Sequence, residues 1–288
     1  MPTDTLPPAL HPVLSFSYPR VLSIAGSDSG GGAGIQADIK TMSALGCYGM
    51  TAITALTAQN TCGVRSIHGV PPQMLRDQID AVLDDIGVDA VKIGMLHSPD
   101  IVQTVAEAIE RHALPNVVFD PVMVATSGAV LIDTSAVDVL VRELFPRAVL
   151  ITPNLDEAAL LVQRALHTEV DMEAAATELL AMGAQAVLVK GGHLQGEVVS
   201  DLLALRSGEK IWMRDARIHT PNTHGTGCTL SSAIASYLAL GQGLQQAVQS
   251  ARVYIRGALQ AGSKVRTGKG GGPLNHGFAP QAMVRKPL

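Results

Sequence analysis

From Arg20 onward, short apolar runs alternate with stretches in which apolar residues recur at helical spacing. Val21-Leu22-Ser23-Ile24-Ala25 reads as a buried strand that ends in a glycine-rich turn over residues 26–34, and residues 35–45 read as the helix that follows. Residues 50–56 predict a second buried strand. Residues 71–86 predict an amphipathic helix with Met74, Leu75, Ile79, Val82, Leu83 and Ile86 on one face. The alternation continues with strands over residues 90–95, 117–119, 149–151 and 186–189. Helices are expected after Ser98-Pro99-Asp100 (Ser as cap, Pro in first position), over 134–144, from Leu155, and over 172–182. A hairpin-like stretch covers 198–218, two helices cover 228–240 and 244–261, and the last 25 or so residues are rich in Gly and Pro.

Strands of this kind, apolar throughout and separated by helices, predict an α/β fold with a parallel sheet covered on both faces. Residues 1–19 carry five prolines and no periodicity and read as a poorly ordered tail; residues 20–288 read as a single domain without repeat or linker. In such sheets ligands bind beyond the carboxyl ends of the strands, so the loops after strands are where chemistry is expected.

Composition narrows the field. Hydrophobic residues at 47% supply a core, while aromatics at 3% and a net charge of −4 give neither stacking platforms nor a basic stripe for nucleic acid. The three cysteines form no C-x-x-C pair, which argues against a disulfide framework or a zinc site. Polar residues interrupt every apolar run before membrane-spanning length, and the first residues show no signal-peptide pattern. No membrane segment is expected, and the default compartment is the cytosol.

Two nucleotide motifs come close and fail. Gly32-Ala33-Gly34-Ile35-Gln36-Ala37 fits G-x-G-x-x-A, but no acidic residue lies between Asp38 and Asp77 to hold a ribose, which counts against a dinucleotide enzyme. The stretch 262–269 resembles a Walker A loop with one spacer too many, and Gly270 stands where Ser or Thr is required. The strongest signal is Asn222-Thr223-His224-Gly225-Thr226-Gly227-Cys228 ahead of an apolar helix. Backbone N–H groups freed by glycines at a helix start make an anion site, and Cys228 in the first turn is expected to have its thiol pKa lowered by the helix dipole. Spacing alone leaves a glycine cap followed by a small buried cysteine equally open. Asn154 and Glu157, three apart after a strand, suit either a hydrated magnesium ion or a helix cap; the cap alone is the commoner outcome. Lys190, before Gly191-Gly192, either reaches a phosphate or extends to water.

Taken together these blocks resemble the hydroxymethylpyrimidine/phosphomethylpyrimidine kinases of thiamine synthesis, within the ribokinase superfamily. The resemblance is carried by the loop from Ala25 to Asp38, Thr54-Ala55-Leu56-Thr57-Ala58-Gln59-Asn60-Thr61, Lys92-Ile93-Gly94-Met95-Leu96, Asp120-Pro121-Val122-Met123, Thr152-Pro153-Asn154 and His224-Gly225-Thr226-Gly227-Cys228-Thr229-Leu230-Ser231, in order over roughly residues 21–262. It implies a ribokinase-like three-layer fold, a central mostly parallel sheet flanked by helices. It also implies two ATP-dependent phosphorylations, first of 4-amino-5-hydroxymethyl-2-methylpyrimidine and then of its monophosphate. On that basis Gln59, Asp38 and Met95 would bind the pyrimidine, and Cys228 would take the hydroxyl proton. Gly225, Thr226 and Gly227 would hold the phosphoryl oxygens, Lys190 would face the nucleotide, and Asn154 and Glu157, assisted by Asp120, would hold Mg2+. The family often forms dimers, which leaves a homodimer open. Two positions depart from the family pattern, Thr126 where a Lys is common and Gly271 where a His is frequent. Two rival readings are a pyridoxal kinase, expected to carry a second Cys in the flap at residues 124–128, where none stands, and a non-catalytic pyrimidine-binding regulatory protein, expected to have lost Cys228 or Glu157.

Overall fold

A computed structural model describes residues 14–123 and 134–288; the flap at residues 124–128 lies outside them. In chain order the elements are β1 (Phe16–Ser17), β2 (Arg20–Ala25), α1 (Gly34–Ala44), β3 (Tyr48–Ile53), β4 (Ala55–Asn60), β5 (Gly63–Gly69), α2 (Pro72–Asp85), β6 (Ala90–Ile93), α3 (Pro99–Arg111), β7 (Val117–Phe119), α4 (Thr134–Leu144), β8 (Leu150–Ile151), α5 (Leu155–Leu161), α6 (Glu169–Ala181), β9 (Ala186–Val189), β10 (Val198–Leu205), β11 (Lys210–Ala216), α7 (Thr226–Ala239), α8 (Leu244–Gly262) and β12 (Lys286–Pro287).

The apolar runs become buried strands because neither of their faces tolerates water. The eight-stranded sheet has the order β11-β10-β9-β8-β7-β6-β2-β3. From β3 to β9 neighbouring strands are parallel, and β10 and β11 add an antiparallel hairpin at one edge. Helices α2 to α6 cover one face with a core that includes Leu75, Ile101, Leu140, Leu155 and Met172. The other face carries Met42 of α1, Ala233 and Ile234 of α7, and Ala251 and Ile255 of α8. The chain runs from β2 outward to β3 and then back to β6 on the other side of β2. The carboxyl ends of β2 and β6 therefore flank the crevice at which such sheets bind ligands. Among the described residues no helix is long and apolar enough to cross a membrane.

Four local expectations change. The strand expected over residues 50–56 is two strands. Thr54 donates its N–H to Ala25 O and its hydroxyl to Met95 O, which pins the chain at the sheet edge while β4 turns away to pair with β5. Phe16 and Ser17, expected in the unordered tail, pair antiparallel with Pro287 and Lys286. Ser98 stands at the N-cap of α3 but makes no side-chain capping bond, so Pro99 and Asp100 alone favour that helix start. Helix α6 begins before residue 172 because Thr168 and Asp171 form a capping box.

Candidate active site

The loops after β2, β6, β7, β8 and β9, together with the end of β4 and the start of α7, open onto one cavity of about 720 Å³. Gln59, Met95, Asp120, Asn154, Glu157, Lys190 and the run from Gly225 to Cys228 all line it; Asp38 does not.

The anion end is built by α7. Gly225 caps it in the left-handed region, with φ of 84°, and a Cβ there would stand 1.9 Å from Gly32 O, so only glycine lets this loop press against the first one. Thr226 N–H donates to Thr223 O at 3.2 Å, while Gly227 and Cys228, in the first turn, point their N–H groups beyond the helix start. A Cβ on Gly227 would lie 3.2 Å from Lys190 Nζ, which brings that ammonium against the anion site.

Charge is concentrated beside it. Lys190 Nζ donates to Asp120 Oδ1 at 2.8 Å and lies 4.0 Å from Glu157 Oε2; Asp120 also accepts from Thr152 and Ser231. Burial opposes the Lys190 charge, but Asp120 and Glu157 outweigh it and raise its pKa; the reading of Lys190 as a tail extending to water is therefore set aside. Asn154 and Glu157 form the reciprocal cap of α5: Glu157 N–H donates to Asn154 Oδ1 at 2.9 Å, and Asn154 N–H donates to Glu157 Oε2 at 2.8 Å. The expected cation pair is thus first of all a helix cap, in which Asn154 Oδ1 and Glu157 Oε2 each accept one bond and keep a further lone pair. Burial, with a smaller push from Asp120, raises Glu157 to about 7 against the pull of Lys190.

A carboxylate driven toward neutrality beside the anion site is one that a hard cation would offset. The described residues hold no group of three or more His, Cys, Asp or Glu fit to bind a metal. A magnesium ion would therefore rest on Glu157, with Asp120 behind it, and mostly on water and phosphate oxygens, which suits that ion.

Cys228 departs from expectation. Burial pushes its thiol up to about 11, with Asp38 and Asp120 adding to the rise, while Lys92 and the Gly34 N–H pull the other way. Desolvation is the largest of these causes. At the other end, Met95 packs against Gly26. Gln59 spans Thr57 Oγ1 at 3.2 Å and His224 Nε2 at 3.4 Å.

Three groups in the site went unassigned in the sequence. Asp28 accepts from the N–H groups of Gly30, Gly32 and Ala33 and sits 2.9 Å from His224 Nε2, so it ties the first glycine loop to the last. Lys92 interrupts the apolar run of β6, a pattern that could have signalled a buried charge; its Nζ pairs with Asp38 at 2.9 Å, which accounts for the absence of Asp38 from the cavity wall. Arg217 donates to the carbonyls of Gly192, Leu194 and Gly196 and fixes the loop beyond Lys190.

The model of the phosphomethylpyrimidine kinase family matches residues 28–275. The hydroxymethylpyrimidine/phosphomethylpyrimidine kinase of Salmonella typhimurium is 48% identical over 258 residues, covering 89% of this chain and 97% of that one. Among solved structures, the phosphomethylpyrimidine kinase of Clostridium difficile superposes with a TM-score of 0.73 at 44% identity, over 83% of this chain and 99% of that one. The pyridoxal kinase of Bacillus subtilis in its ADP complex superposes with a TM-score of 0.82 at 38% identity, over 90% of this chain and 98% of that one.

Proposed function

The chain belongs to the phosphomethylpyrimidine kinase family, and from that premise we infer an ATP-dependent kinase of thiamine biosynthesis that phosphorylates 4-amino-5-hydroxymethyl-2-methylpyrimidine and then its monophosphate. The observation that carries the reading is the meeting of Gly225–Gly227, Cys228, Lys190 and Asp120 in a single cavity that also holds Gln59 and Met95.

In the first step the pyrimidine rests on Met95, with the Gln59 amide toward its amino group and the neighbouring ring nitrogen. Cys228 accepts the hydroxyl proton as the oxygen attacks the γ-phosphorus. The N–H groups of the α7 start hold the phosphoryl oxygens while charge builds, and Lys190 neutralises the nucleotide side. Magnesium, when bound near Glu157 and Asp120, supplies charge neutralisation to the triphosphate. Asp38 acts at one remove, through Lys92. In the second step the nucleophile is a phosphate monoester, already largely ionised near pH 7, so the demand on Cys228 falls. The reading extends to one domain over residues 20–288 and a cytoplasmic location, and it leaves a homodimer open.

The likeness to a pyridoxal kinase keeps one second reading in the test. ADP release measured with hydroxymethylpyrimidine, its monophosphate and pyridoxal decides it. The expected order is a higher kcat/KM for the pyrimidine, with diphosphate formed from the monophosphate. Pyridoxal as the better substrate, or no diphosphate, overturns the assignment.

A further inference from the structure

Behind the cysteine lies a charge pair that the reaction just described does not use directly. Lys92, between Val91 and Ile93 on β6, is 0% exposed, and its Nζ lies 2.9 and 3.0 Å from the two oxygens of Asp38, also 0% exposed. Asp38 accepts in addition from Ser23 Oγ and Ser232 Oγ, each at 2.6 Å. A carboxylate offers about four acceptor positions and an ammonium three donors. Asp38 is therefore saturated and has nothing left for a ligand, while Lys92, which reaches the cavity wall, has a donor beyond the two that Asp38 takes. The end of β6 leaves room for it: a Cβ on Gly94 would stand 2.8 Å from Nζ.

Ser232 is one helical turn beyond Cys228 on the same face of α7, so its bond to Asp38 sets the pair beneath the thiol. The groups that act electrostatically on Cys228 are Lys92 from β6, Asp38 from α1, Asp120 beyond β7, Lys190 beyond β9 and the Gly34 N–H at the start of α1. Lys190 is tied to Asp120 and turned toward the anion site. Lys92 shares the cavity wall with Cys228 and is the cation that pulls its thiol down. A buried ion pair contributes little net stability, because desolvation cancels most of its attraction. An ion pair buried between the sheet and α1 is better explained by what it does to a neighbour.

We propose that Lys92 is a positioning residue for Cys228: its ammonium, held by Asp38, sustains the thiolate that accepts the proton of the attacking hydroxyl. In that step the substrate O–H bond breaks as S–H and O–P bonds form, and the γ-phosphoryl group leaves ADP. The thiol afterwards returns its proton to solvent. The proposal rests on Cys228 being the base of the alcohol step.

Lys92→Met alone would strand the Asp38 carboxylate, whereas removal of both charges is often neutral to stability. The test variant is therefore Lys92→Met with Asp38→Asn in a Cys62→Ser background, its fold checked by circular dichroism and melting. At fixed pH between 7 and 9, alkylation of Cys228 by iodoacetamide, followed by peptide mass mapping, falls at least tenfold. The alcohol phosphorylation falls in parallel, and the second phosphorylation changes less than threefold. An unaltered alkylation rate in the folded variant overturns the inference. If the double variant does not fold, Asp38→Asn alone reads the same contact with opposite sign: the cation acts unopposed, alkylation rises at least threefold, and no rise counts against the role. If Cys228→Ala spares the alcohol step, the base reading fails, while the alkylation rates still report on Lys92.

Discussion

With Cys228 as the proposed base, a thiol held near 11 governs how the first phosphorylation responds to pH. At pH 7 about one molecule in ten thousand carries the thiolate, so kcat/KM for the alcohol rises close to tenfold per pH unit from 7 to 9. The monophosphate step, whose nucleophile ionises near pH 6, stays nearly flat over that range. Cys228→Ala lowers the alcohol step by about 100-fold to 10,000-fold in single-turnover kinetics and the second step by less; equal losses would remove the base role. Glu157 makes a second pH prediction. The folded chain keeps its proton up to about pH 7, whereas the unfolded chain releases it near 4.5. The native state thus binds more protons between those values, and stability falls as pH rises through them. Glu157→Gln retains a residue fit for the capping box yet removes that fall, so the metal-free variant melts higher than the parent at pH 8. The same variant needs more magnesium for half-maximal rate. A magnesium dependence left unaltered would move the ion elsewhere. Residue identities around the site were legible from motif order, including Cys228 and Lys190. The rise in the Cys228 pKa was not, because it comes from enclosure in a cavity walled by residues distant in sequence, and no local pattern encodes that.

Helices and parallel strands were legible as elements because each carries its own periodicity and, in most cases, its own punctuation. Helix α4 begins and ends at Thr134 and Leu144, as its pattern requires. The β4–β5 hairpin was missed for a physical reason: its strands belong to no larger sheet, and β5 is largely exposed, so no buried face imposes an apolar pattern. The break between β3 and β4 was equally hidden, since Thr54 is made a hinge by its bonds to Ala25 and Met95, not by a Gly or Pro. At this scale the start of α7 is the sensitive point. Gly225→Ala adds about 1–2 kcal/mol of left-handed backbone cost, and its methyl meets the Gly32 carbonyl, so the loop must move. Both phosphorylations fall together, in contrast to the unequal loss in Cys228→Ala. A variant that retains one step and loses the other would contradict the shared anion site.

Across the whole molecule the alternation of strand and helix fixed the fold class, while the strand order depends on crossovers that leave no mark on local sequence. The C-terminal segment was expected only to be rich in Gly and Pro; in the fold it returns as a strap. Gln281 and Val284 donate to Ala44 O and Gly46 O, and Leu288 donates to Ser15 O. Removal of residues 279–288 breaks these bonds far from the cavity. A melting temperature lower by about 3–10 °C, with kcat retained for both steps, is the expected result; a loss of kcat without loss of stability would show that the strap reaches the site. The bond between Asp28 and His224 spans 196 residues of sequence, and that separation has a consequence in time. A ribosome adding 5–20 residues per second needs roughly 10–40 s to travel from one partner to the other. Throughout that interval β2 and its glycine loop exist while the half-site that completes them has not been made. A nascent chain is therefore catalytically silent until α7 has emerged, and a product truncated before His224 keeps Gln59, Met95 and Lys190 but lacks the anion site and Cys228.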